Sequence, residues 1–163
     1  MENEFLFEVV EEYFKVHNAG PRRWNFHDFW YRKNIPPKRL KQARKYFAPY
    51  DERLEKPLLL MSDNAFGTLF RGVLVSNTKF YYKLDLNEAL FFAEPKEGIM
   101  NLADMYSIDI QYFKRAGWFL VNGEKEACFA GYSAGIVDEN CATPFKNAVN
   151  HVLQALHEAK PDG

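Results

Sequence analysis

The chain has 163 residues, of which 47% are apolar and 26% charged, and its formal net charge is -1. This composition excludes a disordered chain and a uniformly basic nucleic-acid-binding protein, and the length suits one domain or one domain with a helical extension. The two cysteines, Cys128 and Cys141, exclude a disulfide scaffold and a zinc site built on a CxxC pair. No signal-peptide pattern and no apolar run near the roughly 20 residues of a transmembrane helix is present. We therefore expect a cytoplasmic protein without a transmembrane segment.

Residues 1–50 are predicted to form a helical N-terminal segment. Apolar residues at spacings of three and four indicate an amphipathic helix over residues 3–17. A second, short helix is expected near Asn25. A third helix is predicted to begin at Pro36-Pro37 and to end before Pro49, because proline suits a first helical turn and stops a helix that it follows.

From Pro57 onward the apolar residues alternate with polar ones, which is typical of strands with one buried face. Asn122-Gly123 is the strongest hairpin signal in the chain. About six or seven short antiparallel strands are expected. The clearest runs cover residues 58–61, 68–75, 79–84, 107–112, 118–121 and 125–130.

The chain is predicted to end in an amphipathic helix. Thr143 is placed to cap this helix, and Pro144 stands at its first position. One face is apolar and carries Phe145, Ala148, Val149, Val152, Leu153 and Leu156. The expected fold is therefore of the α+β class, with a curved antiparallel sheet or open barrel whose core this helix fills.

Three segments carry a resemblance to bacterial pleckstrin-homology-like domain proteins. A basic helix over residues 34–47 precedes the turn Ser62-Asp-Asn-Ala-Phe-Gly67, a glycine-containing strand and the Tyr81-Tyr-Lys83 strand. The resemblance implies a roll of six or seven strands capped by a C-terminal helix over residues 57–160, after the N-terminal segment. Members that bind phosphoinositides carry basic residues around the first turn, and this turn contains Asp63 with no lysine or arginine.

One stretch matches a catalytic motif. Gly131-Tyr-Ser-Ala-Gly135 has the GxSxG pattern, with Ser133 as nucleophile, Asp138 or Glu139 as acid and His151 or His157 as base. No helical pattern follows Ser133 directly, and the remaining chain is too short to present the acid and base of a hydrolase. The four histidines match no compact metal motif. We therefore expect no catalysis, no metal and no cofactor.

Charge is concentrated in residues 21–48, which hold nine basic residues and one acid, Asp28. Residues 57–163 hold thirteen acidic and nine basic residues. Aromatic residues alternate with the arginines, as on surfaces that bind nucleic acids or anionic membranes. The candidate binding residues are Arg22, Arg23, Trp24, Trp30, Arg32, Lys33, Lys38, Arg39, Lys41, Arg44 and Lys45.

Several interpretations of this basic segment remain open at the level of sequence. The aromatics can pack the segment onto the sheet while the lysines form a solvated outer face, or the segment can dock on acidic residues of this chain or of a second copy. We favour a non-enzymatic binding or scaffolding module whose partner is a protein. An anion-binding protein for acidic lipid or nucleic acid is the alternative, and a serine hydrolase at Ser133 comes last.

Overall fold

A computed structural model describes residues 1–17, 22–24, 27–62, 71–85, 95–113, 116–128 and 142–159. Within these residues there are three α-helices and nine strands, so the α+β class is confirmed. The helices are α1 (Phe5–Val16), α2 (Pro37–Tyr46) and α3 (Ala142–Glu158). The strands are β1 (Arg22–Trp24), β2 (His27–Tyr31), β3 (Pro57–Ser62), β4 (Gly72–Ser76), β5 (Lys79–Asp85), β6 (Pro95–Asn101), β7 (Ile108–Phe113), β8 (Ala116–Val121) and β9 (Glu124–Cys128).

All the strand pairings are antiparallel. Strands β1 to β6 pair in succession, and β7, β8 and β9 form a second run that joins β5 through the single pair Asp85↔Cys128. Seven of the described strands follow residue 56, and α3 follows them as expected. The predicted hairpin at Asn122-Gly123 is confirmed, since both residues have the positive φ angles that this tight turn requires. The expected turn at residues 62–67 and the GxSxG stretch lie largely or wholly outside the described residues.

The strands β3, β4 and β5 are buried on both faces. Side chains alternate along a strand, so neighbouring residues such as Leu59 and Leu60 enter different cores. The first core lies under α1 and α3, which contribute Leu6, Val10, Phe14, Phe145, Val149, Val152, Leu153 and Leu156. The second core lies under α2 on the opposite face, where Ala43 and Phe47 pack against Leu60, Leu74 and Tyr81. The sheet is therefore sandwiched between two helical layers.

The prediction of a short helix near Asn25 is wrong. The flanking described residues form strands β1 and β2, and β2 pairs with β3 through Phe29↔Met61. Phe29 is buried in the first core, so pairing with a distant strand overrides any local helical preference. The division of the chain into residues 1–50 and 57–160 stays a prediction, although α1 and β2 share the core and the sheet of the later residues.

Strand β6 is not expected from the sequence, because it contains Pro95 and Gly98. Proline is tolerated at the first residue of a strand, and β6 pairs along β5 with its side chains alternately exposed and half-buried. A Cβ atom at Gly98 would lie 2.5 Å from the hydroxyl oxygen of Tyr82. Gly98 therefore leaves room for the tyrosine ring of the neighbouring strand.

Two adjacent tyrosines of β5 enter opposite cores, and each donates its hydroxyl to a carboxylate. Tyr81 donates to both oxygens of buried Glu55, at 2.8 and 2.9 Å, and Tyr82 donates to Glu126. Burial, followed by the hydrogen bond to the carboxylate, raises the pKa of both tyrosines. Both hydroxyls therefore lose their protons at a higher pH in the folded protein than in the unfolded chain.

We expect the free energy of unfolding to fall as the pH rises above about 10. Unfolded tyrosines ionise near that pH, whereas Tyr81 and Tyr82 in the fold ionise only at higher pH, so ionisation favours the unfolded chain. Each contributes a slope of at most about 1.4 kcal/mol per pH unit. Urea unfolding at a series of pH values from about 8 to 11 measures this decline in the free energy of unfolding. Tyr82→Phe should make the decline shallower.

Helix α3 is anchored by polar contacts as well as by its apolar face. The Asn150 side chain accepts from the backbone N–H of Ile108 at 2.8 Å and donates to its carbonyl at 2.9 Å. These bonds satisfy the backbone of β7, the last strand in the sheet order. A ring nitrogen of His157 lies 2.7 Å from the carbonyl oxygen of Met105. The predicted apolar stripe is buried as expected, and the helix begins one residue before Thr143.

Leu153→Ala is expected to lower the free energy of unfolding by about 2–5 kcal/mol, because it leaves a cavity in the first core. Asn147→Ala, on the exposed face of the same helix, should stay within about 0.5 kcal/mol. Denaturant unfolding of both variants measures the difference.

A chain that ends at residue 142 should have no cooperative transition, and a sharp transition near that of the full chain would show that α3 is dispensable.

Candidate functional site

The outer face of α2 presents the central part of the basic segment. Pro37 begins the helix with a φ angle already suited to it, and the N–H groups of Phe47 and Ala48 close it on the carbonyl of Ala43. Ala43 is fully buried against the sheet. The helix PKRLKQARKY contains five basic residues and no acidic residue. Its outer surface is therefore positively charged over its whole length.

Lys38, Lys41 and Lys45 form one exposed line on this helix, which we call the lysine row. Spacings of three and four residues bring side chains onto one helical face, here opposite Ala43. Lys38 and Lys41 form no ion pair in the described parts of the chain, and the Lys45 ammonium lies 5.1 Å from the centre of the Tyr46 ring. The ammonium groups of the row remain available to a partner.

The arginines of α2 are engaged within the fold. Arg44 donates to Glu52 at 2.6 Å, and its guanidinium lies 5.2 Å from the centre of the Tyr50 ring. Arg39 donates to Gln42 at 3.1 Å and lies 5.9 Å from the centre of the Trp30 ring. These contacts bind the arginines to neighbouring side chains, so the lysine row carries most of the accessible charge.

Arg32 lies between α1 and the sheet instead of on the outer surface. Its side chain is only 17% exposed, and its guanidinium stacks 4.2 Å from the centre of the Phe7 ring. It donates to the carbonyl of Pro57 at 3.4 Å and lies 3.9 Å from the Glu11 carboxylate. Burial lowers the pKa of Arg32, and the negative charge of Glu11 opposes that shift. The structure therefore places Arg32 as a link between elements of the fold.

The five remaining candidates lie on β1, on β2 and directly after β2. Lys33 is exposed next to Arg32, and Trp30 is half-buried against the second core. Arg22, Arg23 and Trp24 lie on β1, whose backbone pairs with β2. Among the candidates whose side chains the structure describes, the lysine row lies together on one helix, whereas Arg32 lies between α1 and the sheet.

An acidic surface lies on the opposite side of the sheet from α2, where the sequence predicts only a solvated face at Glu11-Glu12. Residues 1–17 hold five glutamates and one lysine, and a cleft of about 710 Å³ lies between α1 and α3. Its lining includes Glu8, Glu11, Glu12 and Glu158 together with apolar Val9 and Val16. The sequence does contain a signal for it, because these glutamates recur at helical spacing next to the predicted apolar face.

Glu55 is a second acid that the sequence does not reveal, and it is buried. Besides Tyr81, it accepts from the Ser76 hydroxyl at 2.6 Å, and the Lys79 ammonium lies 3.5 Å away. A cleft of about 610 Å³ lies beside it. Because its two oxygens are fully used by side chains of β4 and β5, Glu55 holds its loop onto the sheet.

Within the described residues no group of three or more metal-ligating side chains occurs, and no helix has the length and apolar content to cross a membrane. Ser133, Asp138 and Glu139, the proposed nucleophile and acids of the GxSxG motif, lie outside the described residues. No protein-family model, no curated protein and no solved structure matches this chain.

The neighbouring residues Arg32 and Lys33 are expected to respond differently to truncation. Arg32→Ala removes the stacking on Phe7 and the hydrogen bond to the Pro57 carbonyl, which should cost about 1–3 kcal/mol. Lys33→Ala changes only an exposed side chain and should stay within about 0.5 kcal/mol. Urea unfolding of the two variants measures the contrast, and equal stabilities would contradict a structural role for Arg32.

Proposed function

We propose that this chain is a cytoplasmic, non-enzymatic protein-binding module, and that the lysine row of α2 is its contact surface for an acidic region of a partner. The observation that carries this proposal is the exposure of three aligned lysines on a helix without a single acidic residue. The helix is held over the sheet by Ala43 and Phe47. The charges are therefore presented from a rigid support.

The burial of the aromatic residues supports a protein partner over a nucleic acid. Trp30 and Tyr46 are partly buried and pack against the second core, so they offer little open ring surface for base stacking. Three lysines neutralise only a few phosphates of a nucleic acid and therefore release few of its counterions. Binding at physiological salt is weak as a result. The glutamates of α1 on the far side of the sheet add repulsion against a long polyanion.

We also propose that the region from Pro57 is a pleckstrin-homology-like roll. The support is its order of seven antiparallel strands followed by a helix whose apolar face fills the core. Such a fold hosts many unrelated partners, so this identity alone assigns no ligand.

The triple variant Lys38→Gln, Lys41→Gln, Lys45→Gln tests the proposed contact surface. It should fold as well as the parent, because each change is on the surface. Immobilised parent and variant are compared in pull-downs from the native host at about 150 mM salt, read by quantitative mass spectrometry. The proteins enriched by the parent should fall to background with the variant. The control Lys15→Gln, Lys56→Gln, Lys125→Gln removes the same charge elsewhere and should retain them.

The same two variants are titrated with duplex DNA and with anionic phospholipid vesicles at that salt concentration. Neither ligand should bind the parent in the micromolar range. If the parent binds DNA and the lysine-row variant loses about 2.7 units of salt slope, the chain is an anion-binding protein and the proposed protein partner is wrong. If the parent, the lysine-row variant and the control variant enrich the same proteins to the same extent, the lysine row is not the contact surface.

A further inference from the structure

A line of acids runs along the outer face of α1, and we call it the glutamate row. It consists of Glu4 at the N-cap of the helix and of Glu8 and Glu11 within it. The side chains of Glu4 and Glu11 are 62% and 48% exposed, and Glu8 is exposed as well. Glu4 lies 3.3 Å from the N-terminal ammonium and Glu11 lies 3.9 Å from Arg32. Glu8, at the centre of the row, forms no ion pair within the described segments of the chain. The row faces outward because Leu6, Val10 and Phe14 occupy the buried side of α1.

The glutamate row and the lysine row lie on opposite sides of the same sheet. Helix α1 covers the first core, and α2 covers the second core on the other face of β3, β4 and β5. The two rows therefore cannot meet within one molecule. Each is oriented to meet the complementary row of a different molecule.

The spacing of the two rows is complementary when two helices run antiparallel. From Lys45 the lysines follow at steps of four and three residues, and from Glu4 the glutamates follow at steps of four and three. A helix rises 1.5 Å per residue, so these steps correspond to about 6 and 4.5 Å in both rows. Antiparallel alignment places Lys45 opposite Glu4, Lys41 opposite Glu8 and Lys38 opposite Glu11.

The surface beside the glutamate row suits the stems of lysine side chains. Val16 is 69% exposed, and Val9 and Tyr13 line the cleft between α1 and α3. Lysine buries its methylene stem on apolar surface while its ammonium stays at a charged rim. An approaching α2 therefore finds apolar surface and carboxylates on the same helix.

We infer that the partner of the lysine row is a second copy of this chain, bound through its glutamate row in a head-to-tail contact. This inference rests on the proposed protein-binding function. The contact joins two different surfaces, so each molecule keeps one unused row and the association continues into short chains or closes into a ring. Exposed ion pairs are individually weak and screened by salt, so the assembly is reversible and dissolves at high ionic strength.

Sedimentation velocity of the full chain over a range of concentrations tests this contact at about 50 mM and about 500 mM NaCl. The average mass should rise with concentration at low salt and fall to that of the monomer at high salt. Lys41→Glu and Glu8→Lys each place like charges opposite each other at the centre of the contact. Each should weaken self-association about tenfold. An equimolar mixture of the two variants should associate again, because the swapped charges then face each other.

The matched controls are Lys33→Glu and Glu124→Lys, which reverse exposed charges outside the two rows and should associate like the parent. A parent that stays monomeric at low salt overturns the inference, and so does a mixture of the swapped variants that fails to associate. Neither result affects the pull-down experiment, in which a different acidic protein can still require the lysine row. Binding of the parent to anionic vesicles in place of self-association would likewise contradict the second copy as the partner.

Discussion

The structure depends on the burial of both faces of β3, β4 and β5. Their side chains alternate between two cores, as Leu59 and Leu60 show, so neither face can be left to water. The first core is closed by α1 and α3 and the second by α2. One consequence is that the outer surfaces of α1 and α2 point in opposite directions, which separates the acidic and the basic parts of the chain.

The sequence predicts those parts of the fold that depend on local signals. The start of α2 follows from its prolines, the apolar face of α3 from its spacing, and the hairpin from Asn122-Gly123. The local pattern indicates a helix where β1 and β2 form, because β2 is stabilised by pairing with β3, about thirty residues further along. Strand β6 is not predicted from the sequence for a related reason. Its exposed Ile99 and its proline conceal the alternation, and only its neighbour β5 determines where it lies.

Local signals in the sequence likewise predict only part of the candidate site. Helical spacing alone places Lys38, Lys41 and Lys45 on one outer face, and the structure agrees. Which basic residues are used inside the fold could not be predicted, because their partners are distant in sequence. Arg32 contacts Phe7 and the carbonyl of Pro57, twenty-five residues on either side. A run of basic residues therefore identifies a charged segment, whereas tertiary contacts decide which charges remain available.

The stability of α2 gives a physical reason for it to bind an acidic surface. Lys41 and Lys45 are four residues apart, and like charges at that spacing destabilise a helix by a few tenths of a kcal/mol. No acid within α2 compensates this repulsion, so the helix is held by its apolar contacts with Leu60, Leu74 and Tyr81. A row of carboxylates laid along the lysines adds attraction and also removes the repulsion among them. Because both gains appear only in the complex, the uncompensated charge of α2 favours association over the isolated chain.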